Sequence, residues 1–368
     1  MSQAIHVERR ARLDAALAEA RIDLLVVAGD PWRSDYLRFV LDVTPTEGHA
    51  IAFIERAGTA RLFVETPAEA QRFAQEQPGL DVSWSRSAIA EADRAIRMLS
   101  GKNAALAPLP AVPYRLATGP LAPTIAAATA MLDQLMLVKS GREIEAICRA
   151  AALADEGYRV FRQAARVGRA EYELVAEVEA YFRSQGCYEN FQILASGGRE
   201  VRGMHPPGDR RLGAGDLVTT ELTPCVDAYY AQICRTLVIG MPTEPQQRAF
   251  AVYNEALEAG IAALRPGVTA GDVARSENDV FRRAGLGDYV TSEYTRVRGH
   301  GLGLYVDAVP MVLEDVGLVF QPDMTLVVHP NTYHPEVGYF VHGDTVRVSE
   351  GGCEVLTHTP HELFSVSA

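Results

Sequence analysis

The sequence has little of what builds disulfide-stapled, membrane-spanning or nucleic-acid-binding proteins. Its 368 residues include five cysteines (Cys148, Cys187, Cys225, Cys234, Cys353), an odd number with no C-x-x-C spacing. Neither a disulfide framework nor a cysteine zinc site is indicated, and the chain reads as a protein of a reducing cytoplasm. No apolar run approaches the roughly 18 to 20 residues that cross a bilayer. The opening stretch MSQAIHVERRARLDAALAEA reads as a charged amphipathic helix, not a signal peptide. Clustered positive charge is also missing: 35 Lys and Arg face 47 Asp and Glu, a net charge of −12. Attraction to phosphate backbones and anionic lipid depends on such clusters, so no nucleic acid and no membrane is expected as a partner, and a small-molecule substrate is.

What remains is the composition of an ordinary globular protein, 48% hydrophobic and 22% charged, with chain enough for two domains. Residues 1–135 alternate helix and strand signals: a helix to Arg21, an apolar strand from Asp23 to Ala28, and strands at His49 to Ile54 and Ala60 to Val64. They predict a small α/β domain. The Ala/Pro-rich stretch Leu106 to Ala130 follows, and its prolines suggest an interdomain connection. A second domain, 136–368, opens with Ser140-Gly141-Arg142-Glu143, a capping box whose helix continues through Ile144, Ile147, Ala151 and Ala154. Within it, Arg166 to Gly186 and Arg265 to Gly285 have equal length and share R-x-G, a helical stretch, then F-R-x-x-G. A single duplication at this offset predicts two pseudo-symmetric halves, with the site in the cleft between them.

Five segments carry a more specific message: LDQLMLVKSGREIEAICRAAALADEGY, GDLVTTELTPCVDAYYAQICRT, GHGLGL, TLVVHPNTY and GDTVRVSEGGCEVLT. In order and spacing they resemble the pita-bread α/β fold of the creatinase, prolidase and methionine aminopeptidase family. The first domain resembles the amino-terminal domain of creatinase and prolidase. In metallopeptidases of that family two aspartates, a histidine and two glutamates hold two divalent ions. The resemblance maps these onto Glu221, Gln232, His300, His329 and Gly343, of which only His300 is unchanged. Gln232 and Gly343 replace both bridging carboxylates, so a pair of ions is not expected. His205, in GMHPPGDRRLGAGDLV, matches the histidine that acts as the proton-transfer base in metal-free creatinase.

The resemblance therefore implies a metal-independent enzyme of the creatinase or ectoine-hydrolase type, without cofactor, cleaving a carbon–nitrogen bond in a small amino-acid-derived substrate. His205 would move the proton, and Glu221, His300 and His329 would orient substrate and stabilise charge. Gln232, Cys234, Asp307 and His342 are expected at the substrate. Cys234 reads as either an inert buried thiol or a nucleophile, and Asp344 as a cap or turn residue. Trp32 and Arg33, after the first strand, are expected to close the partner's cleft in a homodimer with shared sites, Arg33 pairing with a substrate carboxylate. Three alternatives stay open: a mononuclear metal-dependent Xaa-Pro peptidase-like enzyme using Gln232, His300 and His329 with Glu221 nearby, a metal-free lyase, and a non-catalytic binding module.

Overall fold

The stretch Leu24–Gly29 (LLVVAG) has no polar side chain and is buried at every position, as a strand covered on both faces requires. In the computed structural model of the protein, which describes residues 3–367, this strand is β1 of the first of two compact units, divided between Leu137 and Val138. Its sheet runs β4-β3-β2-β1-β5, with β2 at Ala50–Glu55, β3 at Ala60–Val64, β4 at Asp81–Trp84 and β5 at Ala104–Ala107. Helices α1 (Gln3–Glu19), α2 (Asp35–Leu41), α3 (Pro67–Glu76), α4 (Ala88–Arg97), α5 (Tyr114–Ala117) and α6 (Ile125–Leu137) complete the unit. The side chains of Thr66 and Ser87 start α3 and α4 by accepting from the amides of Glu69 and Ala90. Val26, Ile51, Phe53, Ile96 and Leu106 fill the core.

The Ala/Pro-rich stretch is not a connection between units. It begins with the sheet strand β5, and the hydroxyls of Thr124 and Thr129 accept from the amides of Leu106 and Leu109. Its prolines punctuate structure inside the first unit, where they satisfy the same turn chemistry as a linker would.

The second unit begins at Ser140, whose Oγ accepts from the Glu143 amide while Glu143 accepts from the Ser140 amide at 2.7 Å, a complete capping box. Helices α7 (Gly141–Ala164) and α8 (Glu171–Ser184) lead into β6 (Asn190–Gly197), β7 (Leu217–Val226), β8 (Tyr229–Tyr230) and β9 (Ile233–Ile239). The pair α9 (Glu244–Ala263) and α10 (Ala270–Arg283) then opens a second half. Its strands are β10 (Gly299–Gly301), β11 (Ala308–Met311), β12 (Thr325–Val328), β13 (Asn331–His334), β14 (Gly338–Val341), β15 (Asp344–Ser349) and β16 (Gly352–Val355), and the last strand, β17 (Phe364–Val366), returns to pair with β9 of the first half. The duplicated sequence is visible in the backbone. Gly168 and Gly267, at φ of 84° and 86°, precede α8 and α10, and their amides reach the carbonyls of Leu212 at 2.8 Å and Phe320 at 3.0 Å. A left-handed turn of this kind needs a residue without Cβ, which is why the glycine recurs in both halves.

The two halves meet at a seam. One sheet is ordered β17-β9-β7-β6 and the other β11-β10-β12-β15-β16. Cys234 and Gly343 exchange both backbone hydrogen bonds, at 3.0 and 2.9 Å. Arg235, fully buried, donates to the carbonyls of Cys234, Gly343 and Thr359 and to Asp344 Oδ1 at 2.7 Å. Asp344 is thus no turn residue: it also accepts from Thr357 Oγ1 at 2.7 Å and faces His361 Nε2 at 2.6 Å. Burial alone raises its pKa, but Arg235, then the His361 hydrogen bond, outweigh burial and hold the carboxyl well below the usual range.

A carboxyl depressed in this way contributes stability that is full above its unfolded pKa of about 3.9 and is lost as pH falls toward the folded value. Asp344→Ala, which strands a buried guanidinium, is expected to cost about 3–5 kcal/mol near neutral pH. The variant should also lose less stability than wild type on acidification below about pH 4. Urea unfolding across that range checks both, and equal acid slopes in the two proteins would assign the acid sensitivity elsewhere.

Candidate active site

Every residue of β7 from Leu217 to Cys225 is buried, so its polar members must find partners inside the protein. Glu221 is the carboxylate among them. It lies opposite Ile193 of β6 and Cys234 of β9, and its Oε2 accepts from Gln232 Nε2 at 2.9 Å. Gln232 is held in turn by Thr345, whose hydroxyl accepts from the Gln232 amide and donates to its carbonyl, both at 2.8 Å.

His300 comes from the other half. It is flanked by Gly299 and Gly301, where a Cβ would stand 2.2 Å from the Val327 carbonyl oxygen and 2.0 Å from that of Val309. Only glycine allows β12 and β11 to close so tightly on β10, and a register shift between His300 and Gly301 aims the histidine. His329 follows β12, its amide bonded to the Arg298 carbonyl at 3.1 Å. Glu221, Gln232, His300, Asp307 and His329 line one cavity of about 480 Å³, walled by aromatic residues including Phe191, Tyr294 and Tyr339.

Burial governs the electrostatics. It pushes Glu221 up to about 7, with the charge of Asp307 adding to it and the hydrogen bond from Gln232 opposing it. Burial lowers His300, partly offset by Asp307 and by the Gly301 carbonyl. His329 is lowered well below the usual value by burial, then by His300 and Arg298. Both imidazoles are therefore neutral near pH 7. His300 Nδ1 lies 3.1 Å from the Gly301 carbonyl oxygen, a contact that places the proton on Nδ1 and leaves Nε2 a free lone pair. The rings of His300 and His329 are 5.1 Å apart, and neither ring nitrogen of the buried His329 has a hydrogen-bond partner among the described residues.

Three other residues of the second unit expected at the site, His205, Cys234 and His342, are not brought into this cavity. His205 is half exposed, with Nδ1 2.8 Å from the Pro206 carbonyl oxygen and 3.9 Å from Glu171, and its ring is outside the lining. Cys234 is fully buried behind Gln232, and burial raises its thiol pKa well above the ordinary value, which suits neither a nucleophile nor a substrate contact. His342 packs between Phe250 and His361, also outside the lining. In the first unit, Trp32 is 89% exposed on a turn that Asp30 Oδ1 ties through the amides of Trp32 and Arg33. Arg33 binds Asp35 at 3.0 Å and lies over the Tyr36 ring. Unforeseen members of the lining include Arg202, Met204 and Tyr294. Arg202 and Met204 come from the same stretch as His205 and were reachable from it by neighbourhood alone.

The family's two-ion centre does not fit. Among the described residues no three His, Cys, Asp or Glu side chains are gathered to hold a metal. At Gly343, the position of a bridging carboxylate, a Cβ would lie 2.4 Å from His329 Cβ, so the space itself is closed. A single ion is a different matter. Two neutral imidazoles, one with its free lone pair set by a backbone carbonyl and the other without any partner, form a donor pair of the kind that binds borderline metals.

Comparison with known proteins agrees with this frame. The model of metallopeptidase family M24 matches residues 145–350. The Xaa-Pro dipeptidase of Pyrococcus furiosus is 30% identical over 236 residues, covering 64% of this chain and 67% of that protein. The uncharacterized peptidase YqhT of Bacillus subtilis is 31% identical over 235 residues, 63% of this chain and 65% of its own length. The chain thus matches a little less than two thirds of that relative. Dipeptidase PepE from Mycobacterium ulcerans superposes with a TM-score of 0.84 at 24% identity, covering all of both chains, and the Xaa-Pro dipeptidase from Bacillus anthracis with 0.82 at 23%, covering 98% and 100%. Three of these four are named as dipeptidases and the fourth as a peptidase, and that overturns the expectation of a metal-independent creatinase-type hydrolase. The chain is a member of metallopeptidase family M24, with a pita-bread second unit.

Proposed function

We propose that the protein hydrolyses the amide bond of short peptides of the Xaa-Pro type, using one divalent ion where the family scaffold provides for two. The observation that carries this reading is His329: fully enclosed, neutral and without a partner for either ring nitrogen, beside a His300 whose Nε2 is left free. A buried polar group left unsatisfied costs about 1–3 kcal/mol, and a ligand in the cavity removes that cost. The named activities of the relatives supply the substrate class.

His300 and His329 would hold the ion, which when bound polarises a scissile carbonyl and acidifies water. The rest falls to the chain's own side chains. Glu221 is the carboxylate in the floor whose pKa, near neutrality, suits taking a proton from water and returning it to the departing amine. Gln232 holds that carboxylate in one orientation, and Asp307, 3.6 Å from His300 Nδ1, supports the protonated side of the imidazole. The aromatic walls exclude water from the amide and accept an apolar ring.

Imidazole donors favour zinc or cobalt over manganese. Isothermal titration of the metal-stripped protein should therefore give one zinc site per chain, and His329→Ala should abolish it while leaving the unfolding midpoint near that of wild type. Two sites per chain, or none, would overturn the single-ion reading.

Turnover is checked with Ala-Pro. Hydrolysis should appear on adding zinc or cobalt and vanish with chelator, and Glu221→Gln should lower kcat by roughly 10²- to 10⁴-fold. A Glu221→Gln enzyme within a few-fold of wild type would remove Glu221 from the chemistry.

A further inference from the structure

The strand ladder that carries the two imidazoles stops short of one of them. Strand β12 pairs with β10 as far as Val328 opposite Gly299, and Pro330, two residues on, has no amide with which to continue. His329 lies in that gap, and neither of its ring nitrogens has a hydrogen-bond partner among the described residues. No hydrogen bond on the ring fixes its direction, so the backbone at 329 carries that task.

Arg298 holds this backbone on both sides. Its carbonyl accepts from the His329 amide at 3.1 Å, and its Nη1 donates to the Asn331 carbonyl at 2.7 Å and to Asn331 Oδ1 at 3.3 Å. The same guanidinium donates to the carbonyls of Thr295 at 2.7 Å and Val297 at 3.0 Å, in the segment that leads into β10 and His300. Thr295, Val297 and Asn331 line the cavity together with both histidines, while Arg298 is fully buried outside the lining. On its other side Nε donates to Asn278 Oδ1 of α10 at 2.5 Å, and Asn278 donates in turn to Glu314 at 2.7 Å. The guanidinium carbon also lies 5.3 Å from the centroid of the Phe281 ring.

Stability alone does not account for a guanidinium here. Burying a charge carries a large desolvation cost, and an apolar side chain of similar volume often serves as well. Glu277, the carboxylate that acts on Arg298 most strongly, offers it no hydrogen bond, because both Glu277 oxygens are without a partner among the described residues. What an apolar residue lacks is the fork, a set of N–H groups at fixed angles that reach separate oxygens at once. Here the fork gathers oxygens from α10, from the segment before β10 and from the start of β13.

We infer that Arg298 is a positioning residue, which holds the ring of His329 against that of His300 and so assembles the imidazole pair. It acts through His329 and touches no ligand itself. The use of the pair to bind an ion rests on the single-ion reading, and the geometry is tested apart from it.

Nuclear Overhauser contacts between ring protons are measured on histidine-labelled, metal-stripped wild type, Arg298→Met and Arg298→Lys. The rings of His300 and His329, 5.1 Å apart, report on the pair, and those of His342 and His361, 5.0 Å apart, are the internal standard. Both contacts are expected in wild type. The first alone should be lost in Arg298→Met, and Arg298→Lys should restore it at most in part, since one ammonium cannot span the separate oxygens. Absence of the His300–His329 contact in wild type, or its persistence in Arg298→Met, overturns the assignment. Loss of both contacts together marks a general loosening and overturns it too. If Arg298→Met does not fold, Arg298→Lys decides, and a contact at full strength there overturns the assignment. Zinc titration of the same proteins gives a second readout: the variants should bind roughly 10- to 100-fold more weakly than wild type, as when a group that orients a metal ligand is removed. An affinity equal to that of wild type overturns the positioning role. Loss of the His300–His329 contact in Arg298→Met, with no zinc bound by wild type, supports Arg298 and sinks the single-ion reading alone.

Discussion

The pairing of Cys234 with Gly343 is the constraint on which the site depends. Glu221 and Gln232 belong to one half-sheet, His300 and His329 to the other, and no covalent or local feature sets the distance between them. Two backbone hydrogen bonds at the seam do, and Arg235 reinforces them by donating to both carbonyls while neutralising Asp344. A buried ion pair is a weak source of net stability compared with apolar packing. Here it acts as a register pin: slipping the seam by one residue would turn every side chain of β9 to the opposite face.

Around that seam, desolvation sets the charge of the site. Removing water keeps both imidazoles neutral and pushes Glu221 toward its protonated form, so the cavity floor holds less charge than its residues suggest. Such a floor suits one cation better than two, because a second ion needs bridging carboxylate charge that neither Gln232 nor Gly343 supplies.

Much of the fold was legible because its signals are local. The Ser140 capping box and the two R-x-G helix entries each have a short-range physical reason, and each is present in the structure, while the GHG motif is a strand, β10, and not a turn. Strand register accounts for the placement of Glu221 and His300, which pairing brings to the lining of one cavity. A side chain's direction is not legible where it depends on a loop or on the next strand. His205 shares its segment with Arg202 and Met204, yet its ring lies on the Pro206 side while theirs line the cavity, a difference no motif encodes. Cys234 and His342 lie two and three residues from the lining positions Gln232 and Tyr339 and are packed outside the cavity. The prolines between β5 and α6 misled for a simpler reason: a proline-rich turn reads the same inside a domain as between domains. The inference of metal independence counted lost carboxylates and gave too little weight to the imidazole gained at 329.

The glycine at 343 also bears on how this site can change over time. With a would-be Cβ 2.4 Å from that of His329 and 2.6 Å from the Val328 carbonyl, the backbone occupies the volume a bridging side chain would need. Gly343→Glu alone would force the seam apart before it could offer a ligand, and His329 would have to shrink or move first. Building a two-ion centre here therefore requires at least two concerted changes, at 343 and 329. The close-packed backbone at 343 thus leaves the imidazole pair, and not a carboxylate bridge, as the donor set this seam can present.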